Sequence, residues 1–350
     1  MRIVVDTMGG DHAPAATIAG ALLALEDDAF SDIDLVLAGP ESAIKDEMKH
    51  HTYRADRVEI VHAPQVVTMK ESPTKALKHK PKSSIALGIN LQKTGEAEAF
   101  VSAGNTGAVL TSSLMSLGRI QGVNRPTIGS YLPSMKGGCF VFDVGANPDA
   151  KPLNLLQFAI MGAIYIKHVY GIDNPKVGLL NIGEERTKGN NVVVDAYGML
   201  EQEVPNFIGN IEGRDILRGK ANLVICDGFV GNILLKFGES VFDVITEKAK
   251  YQITNKPFAT LGAFLMKPVV KKMAKEFNYE EYGGVPLLGI NGVSIISHGS
   301  STPKAIKNAI GVARTMVTKR INELITEEVE AHQVPSPSMP QVDDPIIPQG

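Results

Sequence analysis

The sequence predicts an α/β fold in which a mostly parallel β-sheet is covered by helices on both faces. Short, nearly all-apolar runs alternate with amphipathic stretches of helical period, and turns of small residues separate them. Strands that are buried on both faces read as continuous apolar runs, so this alternation is typical of parallel strands connected by helices. Many of the 34 glycines stand just after an apolar run, where a strand-to-helix turn needs them.

The predicted elements follow one another in a regular order. A strand at Ile3–Val5 leads through a turn into a helix from about Pro14 to Glu26. The apolar run Leu153–Ile166 is too short to span a bilayer and predicts a buried helix. Ligands bind beyond the carboxyl ends of the strands in such sheets, so we expect the polar loops to share one edge. The other predicted strands are Ile33–Ala38, Val58–His62, Ala99–Ser102, Cys139–Val144, Val177–Ile182, Leu223–Asp227 and Val293–Ile296.

Residues 1–332 are expected to form a single large α/β catalytic domain. Within it, residues 248–277 carry apolar side chains at intervals of three and four with lysines between them. Pro257 and Pro268 divide this stretch into short helices, which predicts a projecting helical hairpin. Residues 333–350 contain five prolines and no apolar period, and they predict a disordered tail.

Charge is unevenly distributed along the chain, although the net charge is only −3. Seven lysines and no acidic residue lie between Lys248 and Lys275, and the stretch from Ser301 to Asn322 has five basic residues and no acid. Local basic surfaces on an acidic body indicate anionic partners in two places. The amino-terminal stretch lacks a signal-peptide pattern, and no apolar run reaches 18 residues. We therefore expect a cytoplasmic protein without a membrane span.

Several familiar signatures are missing from the sequence. It has no Walker A loop, no Gly-x-Ser-x-Gly elbow, no zinc-ligand spacing and no Gly-x-Gly-x-x-Gly fingerprint. Cys139 and Cys226 lie in apolar runs and are expected to be reduced and buried. These absences argue against nucleotide hydrolysis, serine esterase chemistry and simple dinucleotide binding. We expect no cofactor, no metal and no nucleic-acid partner.

Five polar loops that follow predicted strands form the candidate site. The loop at 6–12 has two glycines before a helix, and it is either an anion-binding turn or a tight turn capped by Asp11. The loop at 102–108 offers small residues, an amide and a hydroxyl, which let a ligand approach the backbone. The remaining loops are 143–152, 181–190 and 227–232.

Two side chains in or near these loops have alternative interpretations. Lys188 stands beside Gly189 and is either the cation for a phosphate group or a solvent-facing lysine. His298 ends a predicted strand and either contacts substrate or has a structural role. Together the loops predict an enzyme that handles a phosphate or acyl-phosphate group.

The motifs in these loops resemble those of the bacterial phosphate acyltransferases of phospholipid synthesis. The resemblance runs in order from about residue 1 to 325. It departs from the family pattern at Thr7, where the family usually has Ala, and at Ala150, where it usually has Cys, which argues against an essential thiol there. The matching motifs are Asp-x-Met-Gly-Gly-Asp-His at 6–12, Ser-Ala-Gly-Asn-Thr-Gly at 102–107, Asp-Val-Gly-Ala-Asn at 143–147, Leu-Leu-Asn-Ile-Gly-Glu-Glu at 179–185, Lys-Gly-Asn at 188–190, Gly-Asn-Ile-Glu-Gly at 209–213, Cys-Asp-Gly-Phe-Val-Gly-Asn at 226–232 and His-Gly-Ser-Ser at 298–301.

The resemblance implies transfer of a fatty acyl group from acyl carrier protein to inorganic phosphate, giving acyl phosphate for phospholipid synthesis. It implies a homodimer with a Rossmann-like three-layer α/β/α fold, related to isopropylmalate dehydrogenases and phosphotransacetylases. Ionised phosphate needs no enzyme nucleophile to attack a thioester, so the protein must position two anionic reactants and stabilise an oxyanion. The alternatives are a phosphotransacetylase that uses coenzyme A, a dehydrogenase on the related fold and a non-catalytic membrane scaffold for lipid enzymes.

The resemblance also assigns roles to individual residues. Lys188 and Asn232 are expected to be the catalytic pair that binds the phosphate and the oxyanion, and Glu184 or Glu185 is expected to orient Lys188. The residues expected to bind phosphate or the acyl group are Asp6, Gly9, Gly10, Asp11, Asn105, Thr106, Asn147, Lys151, Glu184, Glu185, Asp227 and His298.

Three roles fit the basic amphipathic segment. It would steer the acidic carrier protein, lie on an anionic membrane near a membrane-bound glycerol-phosphate acyltransferase, or pack against the second subunit. The side chains expected on this surface are Phe258, Leu261, Phe264, Leu265, Lys267, Lys271 and Lys272.

Overall fold

A computed structural model describes residues 1–254, 256–276 and 283–332 of the chain. The strands are β1 (Arg2–Asp6), β2 (Asp34–Gly39), β3 (Val58–His62), β4 (Ala99–Ser102), β5 (Thr127–Ser134), β6 (Gly137–Phe142), β7 (Val177–Leu180), β8 (Phe207–Ile211), β9 (Leu223–Ile225), β10 (Val285–Leu288) and β11 (Val293–Ile296). The helices are α1 (Ala15–Leu25), α2 (Glu41–Met48), α3 (Pro73–His79), α4 (Ser84–Lys93), α5 (Thr106–Ser116), α6 (Pro152–Tyr170), α7 (Asn191–Glu203), α8 (Gly213–Arg218), α9 (Gly228–Thr254), α10 (Pro257–Glu276), α11 (Pro303–Thr318) and α12 (Ile321–Ala331).

The strands of these ranges form one sheet in the order β3-β2-β1-β4-β11-β10-β5-β6-β9-β7-β8. The five strands from β3 to β11 are parallel to one another, and so are the four strands from β6 to β8. The two strands in the middle, β10 and β5, pair antiparallel with each other and with their neighbours. The sheet therefore consists of two parallel halves whose strands run in opposite directions.

The two halves are staggered so that their carboxyl ends meet. Phe142 ends β6 and pairs with Gly129, which directly follows Ile128, the partner of Leu287 in β10. Ile296 ends β11 and pairs with Val285 at the start of β10. The last residues of the two halves thus stand at nearly the same level, one half extending away on each side. The expectation that all polar loops share one edge of a single parallel sheet is wrong, because the antiparallel middle strands place them on two edges that face each other.

Alternate residues of each inner strand pack on opposite faces, as expected of a buried sheet. Ile3 and Val5 of β1 join one apolar cluster with α1, α6 and α11, whereas Val4 joins a second cluster with α4 and α5. Both faces are therefore covered by helices, and the predicted three-layer α/β architecture is confirmed.

Helices α9 and α10 pack against each other as a hairpin. The first arm begins at Gly228, well before the predicted boundary at residue 248, and Pro268 lies inside α10 without ending it. Several large apolar side chains on α9 are exposed, among them Phe237 and Ile245. None of the helices in the described ranges is both long enough and apolar enough to cross a membrane. The predicted tail at 333–350 lies outside the described residues.

Candidate active site

A cleft of about 510 Å³ lies where the carboxyl ends of the two halves face each other. The first half contributes the loops after β4 and β11, and the second half contributes the loop after β6 and the start of α9. The middle strand β5 and the approach to β10 close it between them. Its polar side chains are Thr106, Ser130, Tyr131, Asn232, Lys236, Glu239, Ser297 and His298, and its apolar side chains include Leu110, Ile128, Val144, Leu235, Val285 and Ile296.

Two glycines bring the start of α9 against the loop after β6. A Cβ atom at Gly231 would overlap the carbonyl oxygen of Asp143, and one at Gly228 would stand 2.8 Å from the backbone N of Asn147. The carboxylate of Asp227 caps the helix, because its Oδ1 accepts the N–H of Val230 (2.8 Å). The sequence Asp-Gly-Phe-Val-Gly-Asn therefore fixes the first turn of α9 at the cleft.

The loop after β6 is organised by one buried carboxylate. Oδ1 of Asp143 accepts the backbone N–H groups of Gly145 and Ala146 (2.7 Å each), and Oδ2 accepts Nδ2 of Asn147 (2.5 Å). Burial raises the pKa of Asp143, and these hydrogen bonds oppose that shift. Nδ2 of Asn147 also donates to the carbonyl of Pro126 (2.7 Å), so this amide supports the loop from behind instead of lining the cleft.

Asn232 lies next to Gly145 of the loop after β6 in the lining of the cleft. At Gly145, where φ is +140°, an added Cβ atom would stand 3.7 Å from Cγ of Asn232. Gly145 and Asn232 both line the cleft and are in close contact across the loop and the helix. A residue with a Cβ atom at 145 would be strained by its backbone conformation, although the Cβ atom itself would stand only in ordinary van der Waals contact with Asn232.

The glycine turn after β1 packs against the loops of the cleft, and Asp11 does not cap α1, whose N-cap is Pro14 without a side-chain hydrogen bond. A Cβ atom at Gly9 would lie 2.6 Å from the N of Gly104, and one at Gly10, where φ is +104°, would lie 2.9 Å from the carbonyl oxygen of Gly299. The N–H of Asp11 donates to the same Gly299 carbonyl (2.7 Å). The turn therefore supports the two loops that line the cleft, and its own residues are not among those that line it.

Asp6 supports the same region from below the cleft. It is buried, and it accepts the hydroxyl of Ser102 (2.7 Å) and the N–H of Met8 (3.1 Å). The Ser102 hydroxyl in turn accepts the N–H of Gly104 (2.9 Å). Burial raises the pKa of Asp6, and its hydrogen bonds act in the opposite direction.

Asn105 caps helix α5 and also binds the backbone of the segment at 68–71. Its Oδ1 accepts the N–H of Ala108 (3.0 Å) at the start of α5, while Nδ2 donates to the carbonyls of Thr68, Met69 and Glu71 (3.0–3.2 Å). These contacts hold the segment that presents Met69 to the cleft. Thr106, the next residue, lines the cleft with its side chain exposed.

His298 lines the cleft at the end of β11. Its Nδ1 accepts the backbone N–H of Ser300 (3.3 Å) and lies 2.8 Å from the Ser300 hydroxyl. A nitrogen that accepts a backbone N–H carries no proton in the neutral ring, so the neutral form has its proton on Nε2. This tautomer makes Nε2 a hydrogen-bond donor.

The remaining predicted residues stand away from the cleft. Lys188 is exposed in the loop after β7, where its N–H donates to the carbonyl of Glu185 (3.0 Å) and its carbonyl accepts Nδ2 of Asn181 (2.9 Å). Glu184 pairs with Lys220 (2.5 Å), which commits its carboxylate to a partner other than Lys188. Lys151 is exposed at the start of α6. None of Lys151, Glu184, Glu185 and Lys188 is among the cleft-lining residues of the described ranges.

The surface expected on the hairpin is described only in part. Phe264 and Leu265 on α10 are 69% and 70% exposed, and Lys267 is exposed as well. Two neighbouring large apolar side chains of α10 are therefore exposed to solvent. The side chains of Phe258, Leu261, Lys271 and Lys272 lie outside the described part of the molecule.

Five polar side chains of the cleft are absent from the predicted set: Ser130, Tyr131, Lys236, Glu239 and Ser297. Lys236 and Glu239 follow Asn232 by four and seven residues, which places all three on one face of α9. That spacing is a usable signal once α9 is known to begin at residue 228. Ser130 and Tyr131 carry no such signal, because their place depends on the antiparallel pairing of β5.

Neither cysteine is suited to covalent catalysis. Burial raises the pKa of Cys139 to about 12, and it raises the pKa of Cys226 well above its usual value. The Cys226 thiol donates to the carbonyl of Asp143 (3.4 Å), and neither side chain lines the cleft. No group of three or more residues suited to hold a metal ion occurs in the described ranges.

Comparison with known proteins places this chain in a family. A family model described as fatty acid synthesis protein matches residues 1–324. The chain belongs to this family. Two phosphate acyltransferases are similar to this fatty acid synthesis protein: that of Heliobacterium modesticaldum is 50% identical over 330 residues, and that of Halothermothrix orenii is 49% identical over 331 residues. Each alignment covers 94% of this chain and 98% of the relative.

Solved structures with the same fold are more distant in sequence. A phosphotransacetylase from Streptococcus pyogenes matches this family member with a TM-score of 0.58 and 18% identity, covering 90% of this chain and 94% of the other. The EutD phosphotransacetylase from Staphylococcus aureus gives a TM-score of 0.56 and 16% identity over the same shares. These likenesses establish the fold. The predicted family, its class of enzyme, an acyltransferase, and the phosphotransacetylase-like architecture are therefore confirmed.

Proposed function

We propose that this fatty acid synthesis protein transfers a fatty acyl group from acyl carrier protein to inorganic phosphate. The observation that carries the proposal is a cleft that combines an apolar wall with neutral hydrogen-bond donors and presents no cysteine nucleophile. A phosphate oxygen attacks the thioester carbonyl, the carbon–sulfur bond breaks, and the carrier thiolate leaves and takes up a proton. The products are acyl phosphate and the free carrier thiol.

Hydrogen-bond donors on both sides of the cleft act on the developing oxyanion. The Asn232 amide stands on the second half, and the Thr106 hydroxyl and Nε2–H of His298 stand on the first half. Donors held by a rigid frame stabilise the charge that forms in the transition state without reorganising, and one such donor contributes about 10²–10³ in rate. The network around Asp143 and Asp6 supplies that rigidity. Lys188 remains a predicted phosphate ligand from the family resemblance.

The apolar wall receives the acyl chain. Leu110, Ile128 and Val285 line the middle of the cleft, and Leu235 of α9 extends the same surface. Each buried methylene contributes about 0.8 kcal/mol to binding, so a chain of several carbons is held firmly by such a wall. A scaffold that lacked catalysis would have no use for this combination of apolar wall and donors.

The hairpin of α9 and α10 serves the macromolecular partners in this proposal. The lysines between residues 248 and 275 attract the acidic carrier protein or an anionic membrane surface, where acyl phosphate would pass to a glycerol-phosphate acyltransferase. The exposed apolar side chains of α9 pack against a second copy in a homodimer. The reaction takes place in the cytoplasm, with the hairpin as the point of peripheral contact.

The test is incubation of the protein with acyl carrier thioester with and without inorganic phosphate, following release of the free thiol. We expect thiol release that depends on phosphate and on Asn232, which an Asn232→Ala variant measures. The phosphotransacetylase fold of the solved neighbours makes coenzyme A the second candidate carrier. Equal or higher kcat/KM with short-chain acyl coenzyme A would favour that candidate, and no thiol release from either donor would refute acyl transfer to phosphate.

A further inference from the structure

The charged side chains of the cleft are few and clearly placed. Among the described residues that line it, Lys236 is the one lysine or arginine and Glu239 is the one carboxylate. The rest of the lining is apolar, backbone or neutral polar, with His298 as the one other titratable group besides Tyr131. A phosphate ion that enters this cleft loses part of its hydration, and a cation must compensate for that loss. The composition of the lining therefore singles out Lys236.

Lys236 stands where a phosphate ligand would need it. It follows Asn232 by four residues on the continuous helix α9, so the Cβ atoms of the two residues are about 5–6 Å apart on one face. The ammonium group offers three donors on a flexible stem, and the amide adds two more. A tetrahedral anion placed between the two side chains accepts hydrogen bonds from both of them. The Asn232 amide also lies next to Gly145.

The Lys236 charge is not committed elsewhere in the described part of the chain. Its ammonium group makes no ion pair there, whereas Lys80, Lys220 and Lys307 pair with carboxylates at 2.5–2.8 Å. The hydroxyl of Ser240 donates to the backbone carbonyl of Lys236 (2.8 Å), a hydrogen bond that does not involve the ammonium group. Lys188, in contrast, stands outside the cleft lining.

Glu239 places a negative charge, of the same sign as that of phosphate, on the same face of α9. It lies three residues beyond Lys236, close enough on a helix surface to compete with a bound anion for the ammonium group. A carboxylate at this distance lowers the affinity for phosphate without preventing binding. A moderate affinity suits a reaction in which phosphate must be converted and the acyl phosphate product must leave.

We propose that Lys236 binds the inorganic phosphate in the cleft and that Glu239 weakens this binding by charge repulsion. The inference rests on the proposed function and adds a phosphate ligand to it. It assigns opposite effects to two neighbouring side chains, which a purely structural role for either would not produce. Lys236 supplies the charge that holds the phosphate, and the Asn232 amide, which has two N–H donors, gives one to the phosphate and the other to the oxyanion.

The experiment measures the KM for phosphate, the KM for the acyl donor and kcat in Lys236→Ala, Lys236→Arg, Glu239→Gln and the wild type. Loss of a charge-assisted hydrogen bond predicts a phosphate KM about 10- to 100-fold higher in Lys236→Ala, with the acyl-donor KM within about twofold of wild type. Lys236→Arg recovers part of the loss, because the charge remains. Glu239→Gln lowers the phosphate KM a few-fold (about 2–5).

Lys93→Ala is the matched control, since it removes an exposed lysine at the end of α4, outside the cleft. Its phosphate KM is expected to equal that of the wild type, and an equal rise in both lysine variants would overturn the proposal as an effect of net charge. A wild-type phosphate KM in Lys236→Ala, or an increase in Glu239→Gln, would overturn it as well.

A binding measurement separates this inference from the reaction itself. Inorganic phosphate is titrated into the wild type and Lys236→Ala by calorimetry in the absence of any acyl donor. Weaker binding to the variant supports the inference even where no acyl transfer is detected, in which case the proposed function alone fails. Equal binding to two proteins with the same unfolding midpoint refutes the role of Lys236, whatever the activity.

Discussion

Replacement of Gly231 by alanine tests whether close contact between α9 and the loop after β6 positions the site. The new Cβ atom would overlap the carbonyl oxygen of Asp143 and stand 2.9 Å from its carbonyl carbon and 2.9 Å from Sγ of Cys226. The two Asp143 atoms belong to the backbone and the sulfur to a short, buried side chain, so α9 itself must move away. Asn232, the next residue, moves with it.

The expected loss of activity exceeds the expected loss of stability. Overpacking costs about 1–3 kcal/mol, and alanine regains about 1 kcal/mol over glycine within a helix. The free energy of unfolding therefore falls by about 0–2 kcal/mol. A displacement of about 1 Å at a catalytic side chain costs about 10²-fold in rate, so we expect kcat to fall by that factor.

Gly238→Ala is the control on the same helix, because an added Cβ atom there meets nothing within 4 Å. It gains up to about 1 kcal/mol of stability from helix propensity and keeps the wild-type kcat. Urea unfolding and thiol release measure both quantities on both variants. Wild-type kcat in Gly231→Ala, at unchanged stability, would show that the contact does not set the position of Asn232.

Three further predictions concern the network, the cysteines and the hairpin. Burial raises the pKa of Asp6 in the folded state, so the stability of the wild type is expected to fall as the pH rises from about 4 through that raised pKa. The Asp6→Asn variant, which keeps an acceptor for the N–H of Met8, is expected to lose this pH dependence. Identical profiles of the urea midpoint from about pH 4 to 7 in the two proteins would contradict this prediction. Replacing Cys139 and Cys226 together by alanine is expected to leave kcat largely unchanged, and an inactive but folded double variant would restore covalent catalysis as a mechanism. The double variant Phe264→Glu, Leu265→Glu is expected to lose cosedimentation with anionic liposomes while keeping the wild-type sedimentation coefficient in velocity runs. Unchanged liposome binding would exclude these side chains from a membrane contact.

Sequence reasoning located the parallel strands because their signal is local. In the predicted strand Ile33–Ala38, for example, residues Leu35–Ala38 form an unbroken apolar run, and that run lies in β2. It missed β5, β8 and β10, which contain Gly129, Gly209 and Pro286 and read as turns when taken alone. Their strand character comes from neighbours far away in the sequence, and so does the antiparallel middle of the sheet.

The candidate site was predictable at the level of loops but less so at the level of side chains. The loops after β4, β6 and β11 and the start of α9 do contribute to the cleft, and Thr106, Asn232 and His298 line it. Asp6, Asn105 and Asn147 instead bond to backbone groups of their own or neighbouring loops. Whether such a side chain binds a ligand or supports a loop depends on which backbone N–H and C=O groups lie within its reach. The spacing of residues in the sequence does not specify this.

The pairing of β10 with β5 is a narrow seam in the sheet. Two residue pairs, Leu287 with Ile128 and Leu288 with Thr127, join these strands, whereas β5 and β6 share six. Thr106 belongs to the half of the sheet on one side of this pairing, and Asn232 belongs to the half on the other side. A ligand that contacts both side chains connects the two halves of the sheet directly. Binding of such a ligand therefore also stabilises the folded chain.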